Sequence, residues 1–259
     1  MTPARVVGLF RYPVKGLSPE PLPAVELRAG EGIPGDRRYA LALPSTVFDP
    51  AAPAHLPKTK FLMLMRDERL AALTTHFDEA TLTLIVARGP GVGIKASLAD
   101  PETRAHMENF FAHFMAEPRD PDEEAPPPER PRIVEAEGHM FSDSPHKYVS
   151  IINIGSLRDF CVKLGREIEP IRFRANLYVD GWEPWVELDL VGKEITAGEA
   201  RLAIAAPIER CAATNVNPMT ARRDMNIPKD LMTQYGGNVM GVYARVIAGG
   251  ALKLGDTVA

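Results

Sequence analysis

Cysteine is scarce in this chain: Cys161 and Cys211 are the only two among 259 residues. Two thiols in unlike settings do not make a disulfide framework, and such sparing use fits a reducing cytoplasm. Without a four-cysteine set, an ordinary cysteine-ligated iron–sulfur cluster is excluded. Histidine is equally thin for metal work. The six histidines stand at 55, 76, 106, 113, 139 and 146, and no His-Glu-x-x-His pair occurs. His106 and His113 lie two helical turns apart, and His139 with His146 would not by themselves complete a zinc site. No run approaches the roughly 18 apolar residues that a membrane helix requires. Met1-Thr2-Pro3-Ala4-Arg5 leads into a strand rather than the apolar centre of a signal peptide. Gly30-Glu31-Gly32-Ile33-Pro34-Gly35-Asp36 reads as a turn cluster, and no Walker-type phosphate-binding loop or Gly-x-Ser-x-Gly elbow is found. The net charge of −4 argues against a general nucleic-acid binder.

Turn formers, in contrast, are abundant: 24 prolines and 20 glycines favour many short elements over a helical bundle. Short apolar or β-branched runs predict strands at Val6–Phe10, Ala24–Leu27, Tyr39–Leu43, Thr81–Val86, Tyr148–Asn153, Leu177–Val179, Val186–Leu190, Glu194–Thr196, Arg201–Ala206 and Val239–Val246. Leu252–Val258 closes the chain. Residues 44–60 read as an irregular loop, and Arg66–Leu73 fits neither period. A helix is predicted over 101–115, where Met107, Phe110, Phe111 and Phe114 form an apolar stripe. Proline and charge dominate 117–131, a composition that cannot bury a core and reads as a linker. The implied division is an N-terminal domain over 1–116, that linker, and a C-terminal domain over 132–259. So many strands with so few helices predict a mainly β protein, a barrel or sandwich with attached helices.

The two cysteines invite different readings. Cys161 shares a helical face with Leu157, Phe160 and Leu164, with Ser156 as the expected N-cap and Gly165 as the residue after the end. There it reads as a small core hydrophobe. Cys211 follows Arg210 at the end of an apolar run, in a polar segment ending Thr214-Asn215-Val216-Asn217-Pro218. A neighbouring guanidinium favours ionised sulfur, which is the form that attacks or binds metals.

Several short motifs occur together in order. They are Tyr12-Pro13-Val14-Lys15-Gly16, Gly35-Asp36-Arg37-Arg38-Tyr39, Phe141-Ser142-Asp143-Ser144-Pro145, Phe173-Arg174-Ala175-Asn176, and Glu209-Arg210-Cys211 with Thr214, Asn217 and Pro218. Tyr235-Gly236 and Gly241-Val242-Tyr243 follow. In this order the chain resembles the MOSC (molybdenum cofactor sulfurase C-terminal) superfamily with its N-terminal β-barrel partner. It is most similar in pattern to the mitochondrial amidoxime-reducing component and its bacterial relatives.

The resemblance implies an N-terminal β-barrel-like domain, a C-terminal MOSC β-barrel, and a cleft between them holding a molybdenum cofactor (Mo-pyranopterin). Cys211 becomes the metal ligand. Lys15, Arg37 and Arg174 fall in the segments that bind the anionic and pterin parts, with Arg38 and Arg172 as neighbouring alternatives. Arg210 would keep the sulfur ionised, Asn176 and Thr214 would bond the pterin or the metal's oxygen, and Tyr243 would lie nearby. Asn217 stands where relatives often carry a catalytic-site Asp. Gly16 replaces a small polar residue, and Ala175 replaces a proline. The implied activity is reduction of a small N-hydroxylated or N-oxide-type substrate, with electrons from a separate carrier protein. A cofactor carrier, a persulfide-bearing sulfur-transfer protein, or a binding module without cofactor are the other readings.

Overall fold

A computed structural model describes residues 2–89, 93–118, 120 and 122–259. The N-terminal strands are β1 (Ala4–Arg11), β2 (Glu20–Pro21), β3 (Ala24–Leu27), β4 (Ala40–Ala42), β5 (Leu73–Asp78), β6 (Thr83–Arg88) and β7 (Gly93–Ser97). Helix α1 (Pro101–Ala116) and β8 (Arg132–Val134) follow. Then come β9 (Val149–Asn153), α2 (Ile154–Leu164), β10 (Leu177–Asp180), α3 (Val186–Asp189), β11 (Glu194–Ala197) and β12 (Ala200–Glu209). The chain ends with α4 (Ile227–Tyr235), β13 (Val239–Ala248), β14 (Gly250–Lys253) and β15 (Thr257–Val258).

Eight of these strands form one sheet in the order β10-β9-β13-β12-β11-β15-β1-β2, and β1 pairs with β10 as well. The alternation in Ala4-Arg5-Val6-Val7 buries alternate side chains, as a strand with one face on a core requires. Pairing of β9 with β10 is parallel. Parallel neighbours require a crossover of a dozen or more residues, and α2 supplies it. Asn153 caps α2 by accepting from Gly155 N–H at 2.9 Å, so the cap lies three residues before the expected Ser156. Gly165 ends the helix at φ 64°, as expected. Cys161 is buried against Leu157, Phe160, Ile227 and Leu231, and burial pushes its thiol pKa up.

The expectation of two β-barrels is overturned. The fold is mixed α/β, with 22% helix and 32% strand. The N-terminal part lends β1 and β2 to the main sheet and otherwise forms a three-stranded sheet, β5-β6-β7, and two-stranded pairings, β4-β8 and β3-β14. Helix α1 covers this region, burying Met107, Phe111 and Phe114. The segment Val186–Leu190, expected as a strand, contains α3 instead. Its alternation misleads because the inward group is Glu187, which accepts from Ser156 Oγ at 2.8 Å and Asn153 Nδ2 at 2.9 Å. Between 117 and 131 the described residues form neither helix nor strand. Arg119 and Pro121 of that expected linker lie outside the described residues. Its far end is tied back by Arg130 to Glu108 at 2.6 Å.

Candidate functional site

Tyr12 follows β1 and is fully buried. Its N–H donates to Asp36 Oδ1 at 2.7 Å, and its carbonyl accepts from Arg37 N–H at 2.7 Å. The guanidinium carbons of Arg37 and Arg174 lie 4.8 and 4.3 Å from its ring centre. Arg37 Nη2 also donates to the carbonyl of Arg174 at 3.0 Å. Both arginines have left-handed backbones, φ 50° and 51°. That conformation costs a non-glycine residue about 1–3 kcal/mol, and such strain clusters at functional sites. Burial acts against the charge of Arg37, but its ion pair with Asp36, helped by Tyr12 and Tyr243, raises its pKa overall. Arg174 has no hydrogen-bond or carboxylate partner among the described residues. Burial and the like charge of Arg37 lower its pKa.

Cys211 stands just beyond β12. Register shifts between Ile204 and Ala206, and between Pro207 and Glu209, bend the end of this strand against β13. Cys211 is half-buried, and its carbonyl accepts from Thr214 N–H at 3.1 Å and Thr214 Oγ1 at 2.9 Å, closing a short turn. Arg210 points elsewhere than its sequence position suggests. Its guanidinium donates to the carbonyl of Met240 at 2.8 Å through Nε, and to that of Phe173 at 3.0 Å through Nη1. Gly241 makes room for it: at φ +78°, a Cβ there would stand 3.3 Å from Arg210 Nη2 and 2.3 Å from the carbonyl of Ile151. Burial pulls the Arg210 guanidinium down to about 10.

Two lysines complete the cleft. Lys15 Nζ lies 2.5 Å from Asp143 Oδ1 and 3.0 Å from the carbonyl of Phe141, and burial lowers its pKa. Lys58, in the loop over 44–60, lies 3.5 Å from the other oxygen of Asp143. Burial opposes its charge, but Asp143 and the Cys211 thiol together raise its pKa. Sequence reasoning missed Lys58, because nothing local distinguishes it in an irregular loop.

One cleft is lined by Lys15, Arg37, Arg174, Asn176, Arg210, Cys211, Thr214 and Tyr243. These residues therefore converge from five separate segments. Lys58 and Arg172 also line it, and its anions among the described residues are Asp143 and Glu209. Tyr243 stacks on Tyr148 at 5.3 Å, and burial raises its pKa. Asn176 is largely occupied by the fold: Oδ1 accepts from Ser150 Oγ at 2.8 Å, and Nδ2 donates to the carbonyl of Phe10 at 3.2 Å. The alternatives Arg38 and Arg172 are both neutralised, by Glu135 at 2.5 Å and by Glu169 and Asp224 at 2.6 and 2.8 Å.

Asn217 stands outside the cleft. Its Oδ1 accepts from Met219 N–H at 2.9 Å and its Nδ2 donates to Asp224 at 2.7 Å, so its amide shapes the loop after the cysteine turn. That loop is a clasp. Arg223 donates to the carbonyls of Ala212 and Met65 at 3.1 and 2.9 Å and to Glu68 at 3.1 Å, joining the cysteine turn to the opposite wall. Asp224 next to it is held by Arg172 and Asn217, which depress its pKa to about 2. A depressed carboxylate contributes stability above its unfolded value and loses it as pH falls through the folded one. Asp224→Asn is therefore expected to lower the melting temperature at neutral pH. Its gap from wild type should close between about pH 4 and pH 2, as read from melting curves against pH.

Among the described residues, no group of three or more His, Cys, Asp or Glu is placed to hold a metal. No helix among them is long and apolar enough to cross a membrane. The family model described as the MOSC domain matches residues 138–259. No curated protein matches the chain. Among solved structures, the YUAD protein of Bacillus subtilis is 15% identical, with all of this chain and 97% of that chain covered and a TM-score of 0.43. YiiM from Geobacillus stearothermophilus is 19% identical over 43% of this chain and 52% of that one, with a TM-score of 0.34.

Proposed function

We propose that this protein, whose C-terminal region belongs to the MOSC-domain superfamily, binds a molybdenum cofactor in the cleft and reduces N-hydroxylated or N-oxide-type substrates. The observation that carries the reading is the convergence of one half-exposed thiol with a surplus of cations, in a chain whose net charge is −4. The donor set fits the group. A single thiolate is too few ligands for a metal held by side chains alone, but suits one that arrives with soft sulfur ligands of its own. An anionic cofactor also meets Arg174, a guanidinium without a hydrogen-bond partner, and guanidinium grips phosphate in paired hydrogen bonds.

When bound, the cofactor would supply a two-electron centre for removing oxygen from an N–O bond. Cys211 would hold the metal, while Lys15, Arg37 and Arg174 would hold the anionic and pterin parts. Arg210 would act indirectly, tying the residue before Cys211 to the carbonyls of Met240 and Phe173. Asn176 would present its remaining N–H, and Thr214 would keep the cysteine turn closed. Asn217 would act through the clasp. In the net reaction an N–OH group, two protons and two electrons give N–H and water. The electrons would come from a separate carrier protein, in a reducing cytoplasm where Cys211 remains a thiol.

A carrier that holds or delivers the cofactor, or a persulfide on Cys211, would use the same half-exposed sulfur. The test is elemental analysis on full-length protein from a host that makes the cofactor, followed by turnover of a hydroxamic acid with a chemical electron donor. About one molybdenum per chain with turnover is expected. Bound molybdenum without turnover would shift the assignment to a carrier, and no molybdenum in folded protein would overturn the proposal.

A further inference from the structure

A second cavity, of about 70 Å³, adjoins the cleft. The two share Gly16, Leu64, Arg172, Arg174 and Ala213. The other walls of the cavity are nearly all carbon: Leu17, Leu73, Ile171, Val216 and Pro218, with Ala71 beside them. Leu17, Leu73 and Val216 are 1%, 2% and 3% exposed, so the slot is cut into the core rather than into the surface. Of its polar neighbours, Ser18 and Arg172 are already occupied, while Arg174 lines the slot and the cleft alike, where the two meet. Ser18 Oγ is paired with Thr75 Oγ1 at 2.7 Å, and Arg172 is neutralised by Glu169 and Asp224. Ala213, two positions after Cys211, lines both spaces, so the slot opens beside the cysteine turn.

We infer that this slot receives a short alkyl chain of the substrate and sets specificity for aliphatic over aromatic N-hydroxylated compounds. The inference rests on the reading of the cleft as a reductive site. Size fixes the class. A dry apolar cavity of about 150 Å³ holds benzene, so one of about 70 Å³ has room for about two to four carbons and no ring. Beyond Arg174 the carbon walls of Leu17, Leu73, Ile171 and Val216 offer water no hydrogen-bond partner, so each methylene that passes that guanidinium enters apolar space. Burial of one methylene is worth about a fourfold change in affinity.

The test is calorimetric or ligand-observed NMR binding of acetohydroxamic, propanohydroxamic, butanohydroxamic and benzohydroxamic acids to the full-length, cofactor-loaded protein. Binding is expected to tighten about fourfold per methylene to the four-carbon acid and to weaken for the aromatic one. Ala71→Leu, which fills the slot, should flatten the series. Ala71→Gly, which deepens it, should move the optimum to a longer chain, so the inference does not depend on one variant folding. A flat series in wild type, or tightest binding of the aromatic acid, overturns the inference whether or not the protein turns over. The graded series without turnover leaves the slot standing and overturns only the reductase reading.

Discussion

Cys211→Ala is expected to remove bound molybdenum and N–O reduction together while leaving the fold intact. The effect should exceed about 100-fold in metal retention, since loss of even an outer partner of a metal ligand costs about 10- to 100-fold. The fold should survive because the parts of Cys211 that build structure are backbone: its carbonyl still accepts from Thr214 after the sulfur is gone. Cys161→Ala is the matched control. Its side chain belongs to the buried cluster that includes Leu157, Phe160 and Leu231, so its loss should lower the melting temperature and leave molybdenum content unchanged. Equal molybdenum in wild type and Cys211→Ala would remove the thiol from the metal site. Molybdenum lost in both variants would point to a general loss of folding.

The contrast between these thiols was legible in the sequence because it depends on local periodicity. The same holds for β1, β3, β13 and α1, where alternation or a 3.6-residue stripe matches the buried face. Helix α4 was missed although its signals are present. Pro228 stands at its start, Gly236 follows its end, and Ile227 and Leu231 face the core, but the polar majority of the segment hides the pattern. The strand expected at 186–190 failed for a different reason. Burial of Glu187 is decided by Asn153 and Ser156, which are some thirty residues away in sequence, and no local pattern carries that information. The barrel expectation failed because counting strands says nothing about how they connect. A parallel β9–β10 pair obliges a helical crossover and brings α2 into the fold.

At the site, short motifs in order brought together the lining residues, but did not reveal what each side chain does. Adjacency put Arg210 beside Cys211 in sequence, whereas the bulged end of β12 turns its guanidinium toward the carbonyls of Met240 and Phe173. Lys58, from a loop with no periodicity to read, also interacts with the thiol. Asn217 sits in the cysteine segment yet shapes the clasp, because its amide meets Asp224 rather than the cleft. Motif order thus locates a site more readily than it assigns roles, which depend on contacts across the fold.

Arg174→Gln is expected to separate binding from stability by moving them in opposite directions. In the cofactor-free protein, Arg174 holds a half-buried charge with no hydrogen-bond acceptor among the described residues; Arg37 repels it, and Asp36, already paired with Arg37, offsets that only in part. An unsatisfied polar group costs about 1–3 kcal/mol when fully buried, and a half-buried guanidinium such as this one sits at or below the low end of that range. A neutral side chain of similar length relieves that cost at the loss of one contact with the Tyr12 ring. The cofactor-free variant should therefore melt about 2–4 °C higher than wild type. Hydrogen bonds to charged groups contribute about 1.5–3 kcal/mol, so affinity for the anionic cofactor should fall by about 10- to 100-fold. Arg172→Gln is the counterexample within the same turn. Its guanidinium is neutralised by Glu169 and Asp224, so that substitution should lower the melting temperature. A residue kept only for packing would stabilise the free protein; one kept to receive an anion destabilises it until the anion binds. A lower melting temperature for Arg174→Gln with unchanged cofactor affinity would make Arg174 structural and leave Lys15 and Arg37 to hold the anion.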